Sequence, residues 1–240
     1  SFATISNSVE TIAEKAFGGC PQLESLALPF IGQTRSATGY SALFGHIFGF
    51  SYYVGAVSTM QNSSQGGGEY WLPATFEEVS ITDATSIGYG AFSGCTKLAG
   101  IHIEGTATST SMYSFLNCSS LTDLSLPTTV TAIGDYSFMG CSKLSTLDNV
   151  LENVTTLGIF AFSNCSSLSS VDLSEALTEI GMFGFSSCAA LTSIIIPVTV
   201  ATIGENAFLS CDALTIYCRV DAKPAGWSGN WNPNSCPVIW

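Results

Sequence analysis

Positive charge is scarce in this chain: six Lys and Arg against eighteen Asp and Glu give a formal net charge of −12 over 240 residues. No basic stripe is available to neutralise phosphates, so nucleic-acid binding is excluded as a working function, and adsorption to an anionic membrane surface is disfavoured for the same reason. Charge of either sign is sparse, at 10% of residues against about 25% in an ordinary globular chain. Hydrophobic residues make up 46%, which is not the composition of a disordered chain. Long apolar runs are also missing. The richest stretch, Ala42 to Val57, is broken by Gly45, His46, Gly49, Ser51 and Gly55, whereas a membrane span needs about 20 predominantly apolar residues. Ser1 to Val9 has neither the basic nor the apolar region of a secretory signal. The abrupt ends are read as those of a segment of a longer precursor, which leaves its destination open.

Catalytic signatures are equally thin. There are two histidines, His46 and His102, with no H-E-x-x-H, no cysteine cluster at metal spacing and no G-x-S-x-G elbow. The glycine-rich run Gly88 to Gly94 has the wrong spacing for a phosphate loop. No catalytic residue, cofactor or metal is expected.

What is present is a repeat, and repeats decide fold before any other signal. Phe-x-x-Cys occurs at Phe17/Cys20, Phe92/Cys95, Phe115/Cys118, Phe138/Cys141, Phe162/Cys165, Phe185/Cys188 and Phe208/Cys211. From Cys95 onward the cysteines are spaced 23, 23, 24, 23 and 23 residues apart. Each is followed three residues later by leucine, from Leu23 to Leu214, and after three more by an aliphatic residue such as Ile101, Leu124, Leu147, Val171 or Ile194. The alternation in L-x-x-L-x-L is that of a half-buried strand. Ile-Gly or Leu-Gly pairs (Gly88, Gly134, Gly158, Gly181, Gly204) mark a turn five residues before most of the phenylalanines. One such coil cannot bury its own apolar face, but coils stacked about 4.8 Å apart make a continuous core. The prediction is a solenoid.

The I-G-x-x-A-F-x-x-C-x-x-L blocks, best preserved at Ile87 to Leu98 and Ile203 to Leu214, resemble the leucine-rich repeats of the BspA-like type, found on the surfaces of gut and oral anaerobes. The closing segment, with Trp227, Trp231, Cys236 and Trp240, is similar to the ends of such proteins from gut Firmicutes. The resemblance implies a leucine-rich repeat solenoid of the α/β horseshoe type, strand-rich with short helical or 3-10 turns, in about seven coils of 23 residues. It implies an extracellular or cell-surface location and adhesion to a protein or glycan partner on a host or microbial surface. The Ile103–Met112 coil departs from the pattern, with Thr110-Ser111 in place of Ile-Gly.

The chain divides into a first coil (1–28), an insertion (29–75), contiguous repeats (76–214) and a C-terminal cap (215–240). The insertion is aromatic-rich, holding Tyr52, Tyr53, Tyr70 and Trp71 among others. Either these rings fold back over the flank of the solenoid or they form a ligand-contacting tip. Ala42 to Phe48 is expected as a short helix, and the polar run Asn62 to Gly68 as a mobile tip. In the cap, where the repeat is expected to stop, Trp227, Trp231 and Trp240 are expected to seal the last coil.

Seven of the nine cysteines share one register and are expected as a ladder of reduced, buried thiols. Stacked equivalents lie too far apart for the roughly 3.8 Å Cβ separation of a disulfide. Cys218 and Cys236 lie outside the period and either pair or do not. Asn117 and Asn164 form sequons whose turns abut the thiol ladder, and these are read as coincidence.

Residues between the inward strand positions must face out, among them His102, Asp123, Asp148, Asp172 and Ile195. Asp148 and Asp172 occupy equivalent positions on adjacent coils. They are hydrated surface carboxylates, or they share a calcium ion or meet a basic partner. The candidate binding residues are therefore Tyr52, Tyr53, Tyr70, Trp71, His102, Asp123, Asp148 and Asp172. The leading expectation is a monomeric, non-catalytic binding module, and the alternative is a passive spacer.

Overall fold

The computed structural model describes residues 1–148 and 150–240. About ten short segments stack as successive levels of a β-solenoid, from Phe2–Thr4 to Val238–Ile239. The first five, Phe2–Thr4, Ser25–Leu28, Glu78–Ala84, Gly100–Gly105 and Asp123–Ser125, pair as one parallel sheet. The last three, Ser193–Ile196, Thr215–Cys218 and Val238–Ile239, pair as another. Between them Leu147 and Val171 are buried at the equivalent inward positions, but no strand is assigned over 146–148 or 170–172. A third parallel sheet runs up the far side of five coils through Ser109–Thr110, Ala132–Ile133, Thr156–Leu157, Glu179–Ile180 and Thr202–Ile203. Thr110 fills the buried isoleucine position, its hydroxyl accepting from Gly134 N and lying 2.8 Å from Ser137 Oγ. Among the described residues the helical pieces are two 3-10 turns, Gly39–Ala42 and Phe44–Ile47. No helix among them is long and apolar enough to cross a membrane.

The phenylalanines form the core. Rings 92, 115, 138, 162, 185 and 208 stack with centroids 4.7–5.9 Å apart and planes within 10° of parallel. All six are fully buried. Two residues before four of these rings, Tyr113, Tyr136, Phe160 and Phe183 hold φ of 54–61°. That left-handed conformation costs an L-residue about 1–2 kcal/mol. The four rings stack on one another at 4.5–5.0 Å, and each such pair returns about 0.5–1.5 kcal/mol, so the two terms are of similar size. The Ile-Gly turn has a different cause. A Cβ on Gly181 would lie 2.5 Å from the backbone of Gly158, so the column of glycines reflects coil-to-coil backbone approach.

The thiols do form a ladder. Cys118, Cys141, Cys165, Cys188 and Cys211 each donate Sγ–H to the carbonyl of the phenylalanine one coil earlier, at 3.0–3.3 Å. Burial pushes all five upward in pKa, Cys211 to about 11, so none is a thiolate nucleophile at neutral pH. All nine cysteines are free.

Two expectations need correcting here. Cys20 is exposed, because Gln61 of the insertion takes the place below Cys95, its Nε2 3.2 Å from Cys95 Sγ. The repeat also continues through the cap. Trp227 bridges Ile203, Trp231 packs edge-on against Phe208 at 5.9 Å, and Cys236 Sγ donates to Cys211 O. Trp227 and Trp231 are buried and seal the stack, while Trp240, 46% exposed, rests on Trp227 at 5.9 Å between centroids.

Phe138→Ala should lower the unfolding free energy by about 3–5 kcal/mol in a denaturant titration; an unchanged midpoint would contradict the ring stack. A thiol reagent should find one fast-reacting cysteine in the native chain, Cys20, and nine after denaturation.

Candidate interaction surfaces

The insertion replaces the phenylalanine side of one coil and adds a hairpin. Phe44 and Phe48 enter the ring stack next to Phe92, Phe76 and Phe17. Strands Ala56–Ser63 and Gly66–Pro73 then pair antiparallel across the solenoid flank. Thr59 Oγ1 donates to Gly94 O and Gln61 Nε2 to Ala91 O. Gly90 and Gly94, at φ +63° and +71°, lie under the hairpin, where a Cβ would run into the Asn62 and Met60 carbonyls. The next four coils carry aromatic side chains at the Gly90 position. The polar run expected as a mobile tip is paired backbone, with Asn62 opposite Gly67 and Ser63 opposite Gly66.

The four aromatic candidates of the insertion therefore separate. Tyr70 is fully buried and cannot contact a ligand; alternation along its strand turns it inward toward Gly45, and the half-exposed Phe50 ring covers it at 4.5 Å between centroids. Tyr53 and Trp71 are half-buried. Tyr52 is 63% exposed, its ring edge-on to Trp71 at 5.0 Å. Burial raises the hydroxyl pKa of Tyr53 and Tyr70 to about 12. Phe50, Val54 and Met60 are exposed on the same element. The insertion thus both covers the flank and displays an apolar outer surface.

The strand face brings His102 and Asp123 together. His102 Nε2 lies 3.7 Å from both Glu78 Oε1 and Asp123 Oδ2, and Nδ1 lies 3.3 Å from Ser125 Oγ. Gly100 makes room for this: a Cβ there would press on Glu78 Cγ and His102 Nε2 at 3.3 Å. Where the sheet is interrupted, two clefts open. One, of about 290 Å³, is lined by Asp123, Leu124, Ser125, Leu126, Thr146 and Asp148, with Thr122. The next, of about 300 Å³, is lined by Leu147, Leu151, Glu152, Asp172, Leu173 and Ser174. Asp148 and Asp172 belong to different clefts. Among the described residues no group of three or more His, Cys, Asp or Glu side chains is placed to hold a metal ion.

Two surfaces escaped the sequence reading. Ile195, Tyr217 and Ile239 stand in register across the last three strands and are 48%, 42% and 50% exposed. Period two had placed Ile195 outside, but the degenerate cap hid its alignment with Tyr217 and Ile239. The second is the aromatic column Tyr113–Phe183 with Met112, Ile159 and Met182 beside it, each of the last three 37–39% exposed. Its signal was the aromatic residue two before the repeat phenylalanine in four consecutive coils.

Compared with known proteins, the chain matches the family described as BspA type leucine rich repeat region, in six copies over residues 1–40, 71–150 and 147–218. Among solved structures it is similar to a leucine-rich repeat protein of T. pallidum, at 25% identity and a TM-score of 0.49, covering 62% of this chain and 64% of that one. A leucine-rich repeat protein of Eubacterium ventriosum gives 21% identity and a TM-score of 0.45, covering 86% and 62%. A leucine rich cell surface protein of Faecalibacterium prausnitzii gives 19% and 0.36, covering 100% and 78%. The chain thus spans under two thirds of the length of the first and second of these. No curated protein matches it.

His46 offers a test of how tightly the insertion is seated. It is buried, and neither ring nitrogen has a hydrogen-bond partner among the described residues. Burial lowers its pKa against an opposing pull from Glu14, so the folded chain keeps it neutral below the ordinary value of 6.5 while the unfolded chain protonates it. Stability should therefore be present above 6.5 and fall as pH drops toward the lowered value, by at most about 1.4 kcal/mol per pH unit for one proton. Melting curves from pH 7.5 to 5 should show this component, and His46→Leu should remove it. Parallel curves for the two chains would mean that His46 titrates alike folded and unfolded.

Proposed function

Because the chain belongs to the BspA-type leucine-rich repeat family, we propose that it is a non-catalytic interaction module working outside the cell as a monomer, attaching to protein or glycan partners on host or microbial surfaces. The observation that carries this reading is the outer surface of the insertion. Phe50, Tyr52 and Val54, on the segment leading into the hairpin, and Met60, on its first strand, are 45–82% exposed, at positions that the solenoid core does not require. Exposed aromatic and methionine side chains on a rigid scaffold are typical of contact surfaces. Burial keeps the eight cysteines from Cys95 to Cys236 out of reach of a substrate, which accords with a binding role. Carbonyl-to-amide stacking from coil to coil holds such a surface rigid while its outward residues vary freely.

Purified chain should bind saturably to at least one member of a panel of matrix proteins, mucins and glycans. Deleting the hairpin would strip Tyr70 from the core, so the informative variant is Tyr52→Ser, Val54→Ser and Met60→Ser together, all at exposed positions. Affinity reduced about tenfold or more in this variant would place the contact on the insertion. Undiminished binding would move it to the strand face. A panel that retains neither chain would favour a passive spacer, the reading that the small residues Ser25, Ala27 and Ser125 on the strand face support.

A further inference from the structure

Two neighbouring clefts of the strand face share one composition. Each has a leucine floor, Leu124 and Leu126 in the first and Leu147, Leu151 and Leu173 in the second, and each has two carboxylates, Asp123 with Asp148 and Glu152 with Asp172. A long cationic side chain has the matching chemistry, an apolar stem ending in a positive group that seeks carboxylates and water. Neither cleft is lined by a Lys or Arg that would satisfy those carboxylates internally. At the margin Arg219 is already paired with Glu175, and His102 sits between Glu78 and Asp123. Immediately beyond Asp172, in the same outward column, comes the exposed apolar shelf of Ile195, Tyr217 and Ile239.

We propose that the strand face is a docking site for an extended polypeptide segment that carries Lys or Arg followed by large apolar residues. The basic side chains enter the two clefts and the apolar ones rest on Ile195, Tyr217 and Ile239. This rests on the reading of the chain as an interaction module and gives that module a site and a partner chemistry. The repeat geometry suits an extended segment lying along the solenoid axis. Side chains on one side of an extended chain recur about every 7 Å, and neighbouring coils offer equivalent positions about every 5 Å, a mismatch that flexible Lys and Arg stems absorb. The order of the two halves sets polarity, since a segment laid the opposite way puts leucine side chains against carboxylates and ammonium groups on isoleucine. The net charge of −12 adds long-range attraction for a basic partner and a strong dependence of the on-rate on salt.

The test is fluorescence anisotropy with a labelled synthetic peptide, Lys-Ser-Lys-Ser-Leu-Ser-Leu-Ser-Leu, added to the full chain. Saturable binding is expected, weakened about tenfold by Asp148→Asn with Asp172→Asn, and by a similar factor by Ile195→Ser with Tyr217→Ser. Only the carboxylate-dependent part should weaken further with added salt. All four positions are exposed, and matched melting curves would show that the variants fold. Binding that ignores either pair of substitutions would overturn the site, as would equal binding of a peptide with the three leucines replaced by serine. A chain that binds a panel component through its hairpin but shows no affinity for the peptide overturns this site alone. A chain that binds neither overturns the module reading as well.

Discussion

Each phenylalanine ring from Phe115 to Phe208 lies on the one before it, parallel within 10°, and this contact sets the height and heading of the coils from Phe92 onward. Because the ring comes from the same position each time, its neighbours fall into columns as well. The thiol reaches the preceding phenylalanine carbonyl, the turn glycine meets the preceding turn, and the serines at 114, 137, 163 and 186 are buried as a polar column beside the rings. The stack must also be closed. At one end Trp231 turns edge-on to Phe208, and near the other Phe44 and Phe48 of the insertion bridge from Phe92 to Phe17. The insertion is therefore not an ornament on a finished solenoid. It completes the ring stack with one side and presents Tyr52, Val54 and Met60 with the other.

What could be read from the sequence follows the same physics. Positions filled by one residue type in coil after coil, such as Phe138, Cys141 and Leu144, declare their burial, and the exception, exposed Cys20, falls where Gln61 of the insertion takes the thiol's place. The reduced thiol ladder was legible for that reason. The hairpin was not. Its buried residues Thr59, Gln61 and Ser63 are polar, since Thr59 and Gln61 bond the carbonyls of Gly94 and Ala91 while Ser63 bonds Gly66 O and Gln65 N of its own turn, and a pattern reading based on apolarity places them outside. Tyr70 and Tyr52 look alike in sequence, yet one faces the core and the other solvent. Gly90 was the available clue, a glycine where the following four coils have a large aromatic residue.

The strand face was legible residue by residue but not as a surface. His102, Asp123, Asp148 and Asp172 point outward as period two requires. The clefts between them arise where no strand is assigned over 146–148 and 170–172, next to the one interval of 24 in a run of 23. A single extra residue leaves the composition of a coil unchanged while altering how its edge meets the next, so patterning alone does not reveal the opening. In the same way the cap hides its membership of the repeat by substituting Trp227 for isoleucine and Trp231 for phenylalanine.

The coil-to-coil hydrogen bonds, from Cys118 Sγ to Phe92 O through Cys236 Sγ to Cys211 O, join each level only to its neighbour, and this governs how the molecule yields to force. With these bonds confined to neighbours, and the surface pair Arg219–Glu175 reaching across two coils, the energy holding any one level is largely local, so tension applied through the two chain ends detaches a terminal coil before the middle. Each released coil of 23 residues frees about 75 Å of chain.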